Sequence, residues 1–198
     1  MIEYVTIDQA AELDAFVLRQ PNCHFMQTSA WGRVKEGWGW TGILCRDEKG
    51  EIIGSMAILE HRIRHMHTGF LYAPRGPIFR DGDYATLEAL VDAMRALGAK
   101  SVVITSAVVD GTNAVIGYDH VAGEYFTIPF DLIPVYFPGT GDTFSAVLVG
   151  RVMAGWSLQH ATADAMRVVA ELIERNADQE DKSAGLPIEA CLDVIDHE

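Results

Sequence analysis

The stretch Phe137–Gly150 reads FPGTGDTFSAVLVG, and its reading decides how the second half of the chain folds. Gly139, Thr140, Gly141 and Asp142 stand directly before an uncharged apolar run, which predicts a tight turn opening onto a buried helix. A helix start leaves its first backbone N–H groups without partners and carries partial positive charge, so glycines there let an anion approach the bare backbone. The same four residues also suit a plain turn and N-cap, because Thr and Asp hydrogen-bond locally at helix starts. An acid beside an anion site is anomalous unless it has a chemical task, and that singles out Asp142.

Working outward, Ser157 opens a second helix whose Leu158, Ala161, Ala165, Val168, Val169, Leu172 and Ile173 mark one apolar face. NADQEDKSAG reads as a charged surface loop, and PIEACLDVI as a short last helix. Upstream, SVVITSAVV from Ser101 is a β-branched run of the kind buried on both faces of a sheet, followed by strand-like TNAVIGYDH and EYFTIPF. The first half alternates differently. A short strand over 2–6 precedes a helix capped by Asp8, with apolar Ala11, Phe16 and Leu18, and Ser29 caps a second short helix. WTGILCR and IIGSMAILEHRIR form a hairpin around DEKGE, and TGFLYA adds a third strand. After the loop PRGPIFRDGD, Leu87, Leu90, Val91, Met94 and Leu97 recur at helical spacing up to a Gly98 C-cap.

The 198 residues are 49% hydrophobic and 22% charged, the composition of a soluble globular protein. Cys23, Cys45 and Cys191 are odd in number and widely spaced, which suggests neither a disulfide framework nor a metal knuckle. No apolar run reaches membrane-spanning length and no leader opens the chain, so a cytoplasmic protein is expected, with no membrane partner. Net charge is −13 and unevenly placed: residues 1–100 hold 11 Lys+Arg against 13 Asp+Glu, residues 101–198 only 4 against 15. Such acidity excludes nonspecific nucleic-acid binding by the second half, where phosphate contacts would need cations. The composition breaks near Lys100, dividing the chain into regions 1–100 and 101–198.

From SVVITSAVV through GYDH, FPGTGD and GWSLQHATADA to LPIEACLDVI, the second half resembles the C-terminal part of the pyridoxal/pyridoxamine kinases of the ribokinase-like superfamily. The resemblance implies that Gly139, Thr140 and Gly141 form an anion hole for the transferring phosphoryl group. It makes Asp142 the base at the substrate hydroxymethyl and brings Thr105 and Ser106 to the phosphates of ATP. Mg²⁺ and a pyridoxal-like small molecule follow as cofactor and substrate. The Asn-x-x-Glu motif that serves magnesium in that family is not recognisable, so incomplete or absent activity is expected. FMQTSAWGRVK and LYAPRGPIF resemble the N-terminal part of the FemABX peptidoglycan-bridge aminoacyltransferases, with their acetyltransferase-like fold. That likeness implies that Lys35, four residues after Trp31, faces the diphosphate of a cell-wall nucleotide precursor, with Arg75 as a second substrate contact. Read one at a time, Trp31 and Tyr72 also suit core aromatics, and Lys35 and Arg75 solvated charges.

The expectation is therefore an α/β chimera with helices packed on a mixed sheet, an acetyltransferase-like fragment joined to a ribokinase-like one. The helix over 83–98 should cover the joined sheet. Exposed sheet edges predict a homo-oligomer, most simply a homodimer. A module that binds an anionic cell-wall precursor and a ligand-free folded scaffold are the alternatives to kinase chemistry. His61, His65 and His67 share a strand face, but without Cys, Asp or Glu at ligand spacing they read as a solvated face, and no metal site is expected.

Overall fold

The run Ile43–Cys45 is buried throughout because its strand has a helix on each side. The structure is a computed structural model that describes residues 1–62, 69–80, 82–109 and 111–195, and it divides into two compact units, Met1–Lys100 and Ser101–Glu198.

The first unit holds strands β1 (Ile2–Val5), β2 (Gly39–Arg46), β3 (Ile52–Arg62), β4 (Gly69–Tyr72) and β5 (Ile78–Phe79). Its helices are α1 (Ala11–Val17), α2 (Ser29–Val34) and α3 (Tyr84–Ala96). Every pairing is antiparallel, in the order β1-β2-β3-β4, with β5 also on β3. The period of two along a strand sorts the side chains of β2. Leu44 packs with Leu13, Phe16 and Val17 of α1, and a Cβ at Gly42 would strike Leu13. On the opposite face Tyr4, paired with Ile43, donates its hydroxyl to Ala93 O of α3 at 3.0 Å, and a Cβ at Gly54 would meet Thr86 and Leu90. Leu87, Leu90, Val91 and Met94 of α3 are buried as their spacing predicts, and Asp83 caps the helix by accepting from Thr86 N. Each such buried leucine is worth about 1.5–3 kcal/mol over an exposed one.

Three local expectations change. Asp8 lies inside a 3-10 turn, Ile7–Gln9, and the N-cap of α1 is Ala10. Leu18 lies beyond the last turn of α1 and is exposed, Leu13 and Val17 taking the core positions instead. Thr28, not Ser29, is the N-cap of α2; Ser29 gives both its N–H and its hydroxyl to the Asp14 carboxylate, at 2.8 and 2.6 Å.

The second unit is a meander of β6 (Val102–Val109), β7 (Thr112–Asp119) and β8 (Glu124–Pro129), followed by α4 (Thr140–Met153) and α5 (Leu158–Arg175). Tight turns at Gly111 and Gly123, both with positive φ, fold each strand back on the last, so all pairs are antiparallel. Ala161, Ala165, Val168 and Leu172 of α5 are fully buried, the last three packing with Val115, Phe144, Val147 and Val194. The buried Asp119 carboxylate ties the β7–β8 turn to the start of α5 by accepting from Val121 N and Leu158 N. PIEACLDVI forms two 3-10 turns, Ile188–Ala190 and Leu192–Val194, instead of one helix.

The α/β class stands, but its strands form two antiparallel sheets, one in each unit, in place of a shared mixed sheet. Short hairpin turns impose antiparallel neighbours, and α3 packs on β1, β2 and β3 of its own unit. Among the described residues β6 is an edge strand that pairs with β7 alone, not a two-face core strand, and a register break between Ile104 and Ala107 leaves Thr105 and Ser106 exposed. The apolar helix α4 is likewise only half covered. Phe144 and Val147 face α5, whereas Val149 and Val152 are exposed and Met153 is 84% exposed.

Candidate functional site

In the first unit, a four-residue step on one helical turn carries Lys35 back over Trp31. The Lys35 Nζ lies 4.9 Å from the centroid of Trp31 and 6.0 Å from that of Trp38. Phe25 meets Trp31 edge-on at 5.5 Å, and His24 stacks on Phe25 at 4.8 Å. Burial, then the neighbouring Arg75 charge, hold His24 below the ordinary imidazole value, so its neutral Nδ1 accepts from Met26 N. On the other flank Trp38, His61 and Phe70 close a triangle of rings with centroids 4.6 to 5.4 Å apart. One aromatic surface thus joins Lys35 to Arg75, and no ion pair neutralises either cation among the described residues.

Two polar atoms in this cluster are buried without partners among the described residues, Trp31 Nε1 and His61 Nδ1. A buried indole N–H left unpaired is costly. Arg75 is exposed on the connection between β4 and β5, with φ +60, a left-handed conformation rare outside glycine. Sequence reasoning found Lys35 and Arg75 but missed Phe25, Trp38, His61 and Phe70. The aromatic density around Trp31 was the available signal. His65 and His67 lie outside the described residues, and His61 belongs to the ring cluster.

In the second unit, Gly139 takes a left-handed conformation (φ +84) and starts α4 with no side-chain cap. The N–H groups of Thr140, Gly141 and Asp142 have no acceptor among the described residues, the first bond being Thr143 N to Gly139 O at 2.9 Å. The expected N-cap by Asp or Thr is absent; Thr143 and Ser145 instead donate their hydroxyls to Gly139 O and Gly141 O. Asp142 lines a cavity of about 360 Å³ with Pro138, Gly139, Thr143 and the segment Ala184–Leu186. Lys182, which the sequence did not mark, lies 5.9 Å from the Phe137 ring beside this turn. Thr105 and Ser106 do not line the cavity. The described residues bring no three His, Cys, Asp or Glu side chains together to hold a metal, and no helix among them is long and apolar enough to cross a membrane.

Structural similarity covers 60% of this chain and 41% of a Bacteroides thetaiotaomicron protein described as a phosphomethylpyrimidine kinase, at 28% identity and a TM-score of 0.54. A second crystal form of that protein, with pyridoxal, matches at 28% identity and a TM-score of 0.52, over 59% of this chain and 42% of that one. Pyridoxal kinase from Lactobacillus plantarum matches at 25% identity and a TM-score of 0.48, over 55% and 40% of the two chains. FemX matches at 24% identity and a TM-score of 0.46, over 53% and 27%. The chain thus spans about two fifths of the length of these kinases. No curated protein matches it. The kinase likeness accompanies a second and different one, joining FemAB-like and kinase-like parts in one chain. Residues 9–108 match the FemAB family, a span of half the sequence that carries Trp31, Lys35 and Arg75, and the chain belongs to that family.

Proposed function

We propose that the first unit binds a phosphate-bearing nucleotide on the surface between Lys35 and Arg75, the chemistry of a cell-wall nucleotide precursor. The observation that carries this reading is Lys35, half-buried between two indoles and without a carboxylate partner among the described residues of a chain of net charge −13. A cation so placed is desolvated on its aromatic sides and keeps its N–H donors for an incoming anion. Phosphate groups supply acceptors for Lys35 and Arg75, and the exposed rings offer a stacking face for a base. Calorimetric titration with UDP tests it. Lys35→Ala and Arg75→Ala should each weaken binding roughly 10- to 100-fold, the worth of a charge-assisted hydrogen bond. Equal affinity in both variants would reject the assignment.

The bare start of α4 favours a second reading, a kinase-type anion hole in the second unit. Its neighbours include a structure that contains pyridoxal, and ATP-dependent phosphorylation of a pyridoxal-like hydroxymethyl is the activity such a turn would serve. The fit is partial. Three free N–H groups and Lys182 suit a phosphate, and Asp142 lines the cavity where a hydroxyl would sit. No acidic cluster gathers for Mg²⁺ among the described residues, so we assign anion binding at this turn and no transfer step. A Cβ at Gly141 meets nothing within 4 Å, so a bulky residue there obstructs the approach without straining the fold. Phosphate or ATP binding that survives Gly141→Trp would remove this reading, and any turnover of pyridoxal should vanish in Asp142→Asn.

A further inference from the structure

We propose that Gln27 is the residue that positions Arg75, its side-chain amide standing in for a missing strand peptide between β4 and β5. The proposal rests on the reading of the first unit as a nucleotide-binding surface. On its outer edge β3 pairs with β4 through Leu59–Arg62 and with β5 through Gly54–Ser55, so the ladder is interrupted over Met56–Ile58. Backbone groups in such a gap need partners when buried. Gln27, which has no exposed surface, fills it: Ala57 N donates to Gln27 Oε1 at 2.9 Å, and Gln27 Nε2 donates to Ala57 O at 3.2 Å.

The second N–H of the amide reaches the loop, donating to Pro74 O at 2.8 Å. The loop backbone lies directly on the amide, since a Cβ at Gly76 would come within 2.5 Å of three Gln27 atoms. Arg75 is held between these two anchored neighbours. Its left-handed conformation is unfavourable for a side chain with a Cβ and persists only where the surroundings fix it. Gln27 touches no ligand position itself; it sets where the guanidinium stands.

The test combines amide hydrogen exchange with UDP titration in wild type, Gln27→Leu, Arg75→Ala and the double variant. Gln27→Leu should speed exchange at Ala57 by at least about tenfold relative to the amides elsewhere on β3, and raise exchange at the Arg75 and Gly76 amides of the loop. It should also weaken UDP binding as much as Arg75→Ala, with no further loss in the double variant, whereas combination with Lys35→Ala should be additive. A merely structural role gives additive losses with Arg75→Ala, and either that result or unchanged Ala57 protection overturns the proposal. If wild type fails to bind UDP while Gln27→Leu still exposes Ala57 and the loop, the nucleotide reading is lost and the anchoring of the loop stands. Should Gln27→Leu not fold, Gly76→Ala presses on the same amide from the loop side and serves with the same readouts.

Discussion

Gly76→Ala is the substitution whose sign depends most on the geometry described here. Elsewhere, replacing glycine by alanine at a compatible site stabilises by about 0.4–1 kcal/mol, because the unfolded chain loses freedom. The φ of Gly76 is not positive, so its backbone admits alanine. The new Cβ, however, would lie 2.5 Å from Cδ, Nε2 and Oε1 of Gln27, where ordinary contact needs a separation larger by roughly 1 Å. Gln27 is fully buried and held by three hydrogen bonds, so it cannot swing away as a surface side chain would. Either the loop lifts and the Pro74 bond is lost, or the amide moves and leaves Ala57 unpaired, at about 1–3 kcal/mol for each buried group left unsatisfied. Setting that loss against the entropic gain leaves a net destabilisation of about 0.5–2.5 kcal/mol. Urea unfolding followed by tryptophan fluorescence in a Trp156→Phe background reads the right unit, since the other three tryptophans, Trp31, Trp38 and Trp40, all lie in it. With an m-value of about 1–2 kcal/mol per molar, the midpoint should fall by roughly 0.5–2 M. A Gly76→Ala protein as stable as wild type, or more so, would refute the tight seat of the loop on Gln27.

Asp164 is packed between Arg151 and Arg167 at 2.7 and 2.8 Å; burial by itself would raise its carboxyl, but the two guanidinium groups outweigh it and hold it below the ordinary Asp range. A depressed carboxylate stabilises the fold at neutral pH and loses that contribution as pH falls through its folded value, so Asp164→Asn should cost about 1–3 kcal/mol at pH 7 and much less near pH 3 in pH-dependent urea unfolding. A cost independent of pH would show that the ion pairs contribute nothing. The edge strand β6 is uncharged from Val102 to Val109 and, among the described residues, pairs on one side only, and we expect the chain to form a homodimer; sedimentation as a monomer at micromolar concentration would exclude this.

What the sequence revealed and what it hid follow from the range of the interactions involved. Helical spacing located Leu87–Met94 and Ala161–Leu172 because each helix buries one face against one sheet or helix. Periodicity failed where burial depends on what lies opposite: SVVITSAVV has the composition of a doubly covered strand and forms an edge among the described residues, and α4, uncharged from Thr143 to Gly150, is covered on one side. The Trp31–Lys35 pair was legible, being one helical turn apart. Gln27 was not, since its partners Ala57 and Pro74 are 30 and 47 residues away, and nothing local marks a glutamine that completes a distant sheet. Trp38, His61 and Phe70 meet only through the β2–β3–β4 register, which sets rings from three strand ends side by side.

The central claim, a nucleotide site on the FemAB-family unit, is tested most directly by titrating UDP into isotopically labelled protein and following the indole N–H resonances. Trp31 Nε1–H has no partner among the described residues, and the Lys35 ammonium lies over its ring. The account predicts a saturable shift of the Trp31 indole, accompanied by backbone shifts at Lys35 and Arg75 and abolished in Lys35→Ala. No saturable change there, or shifts confined to Gly139–Thr143, would contradict it and leave the turn of the second unit as the only phosphate site among the described residues.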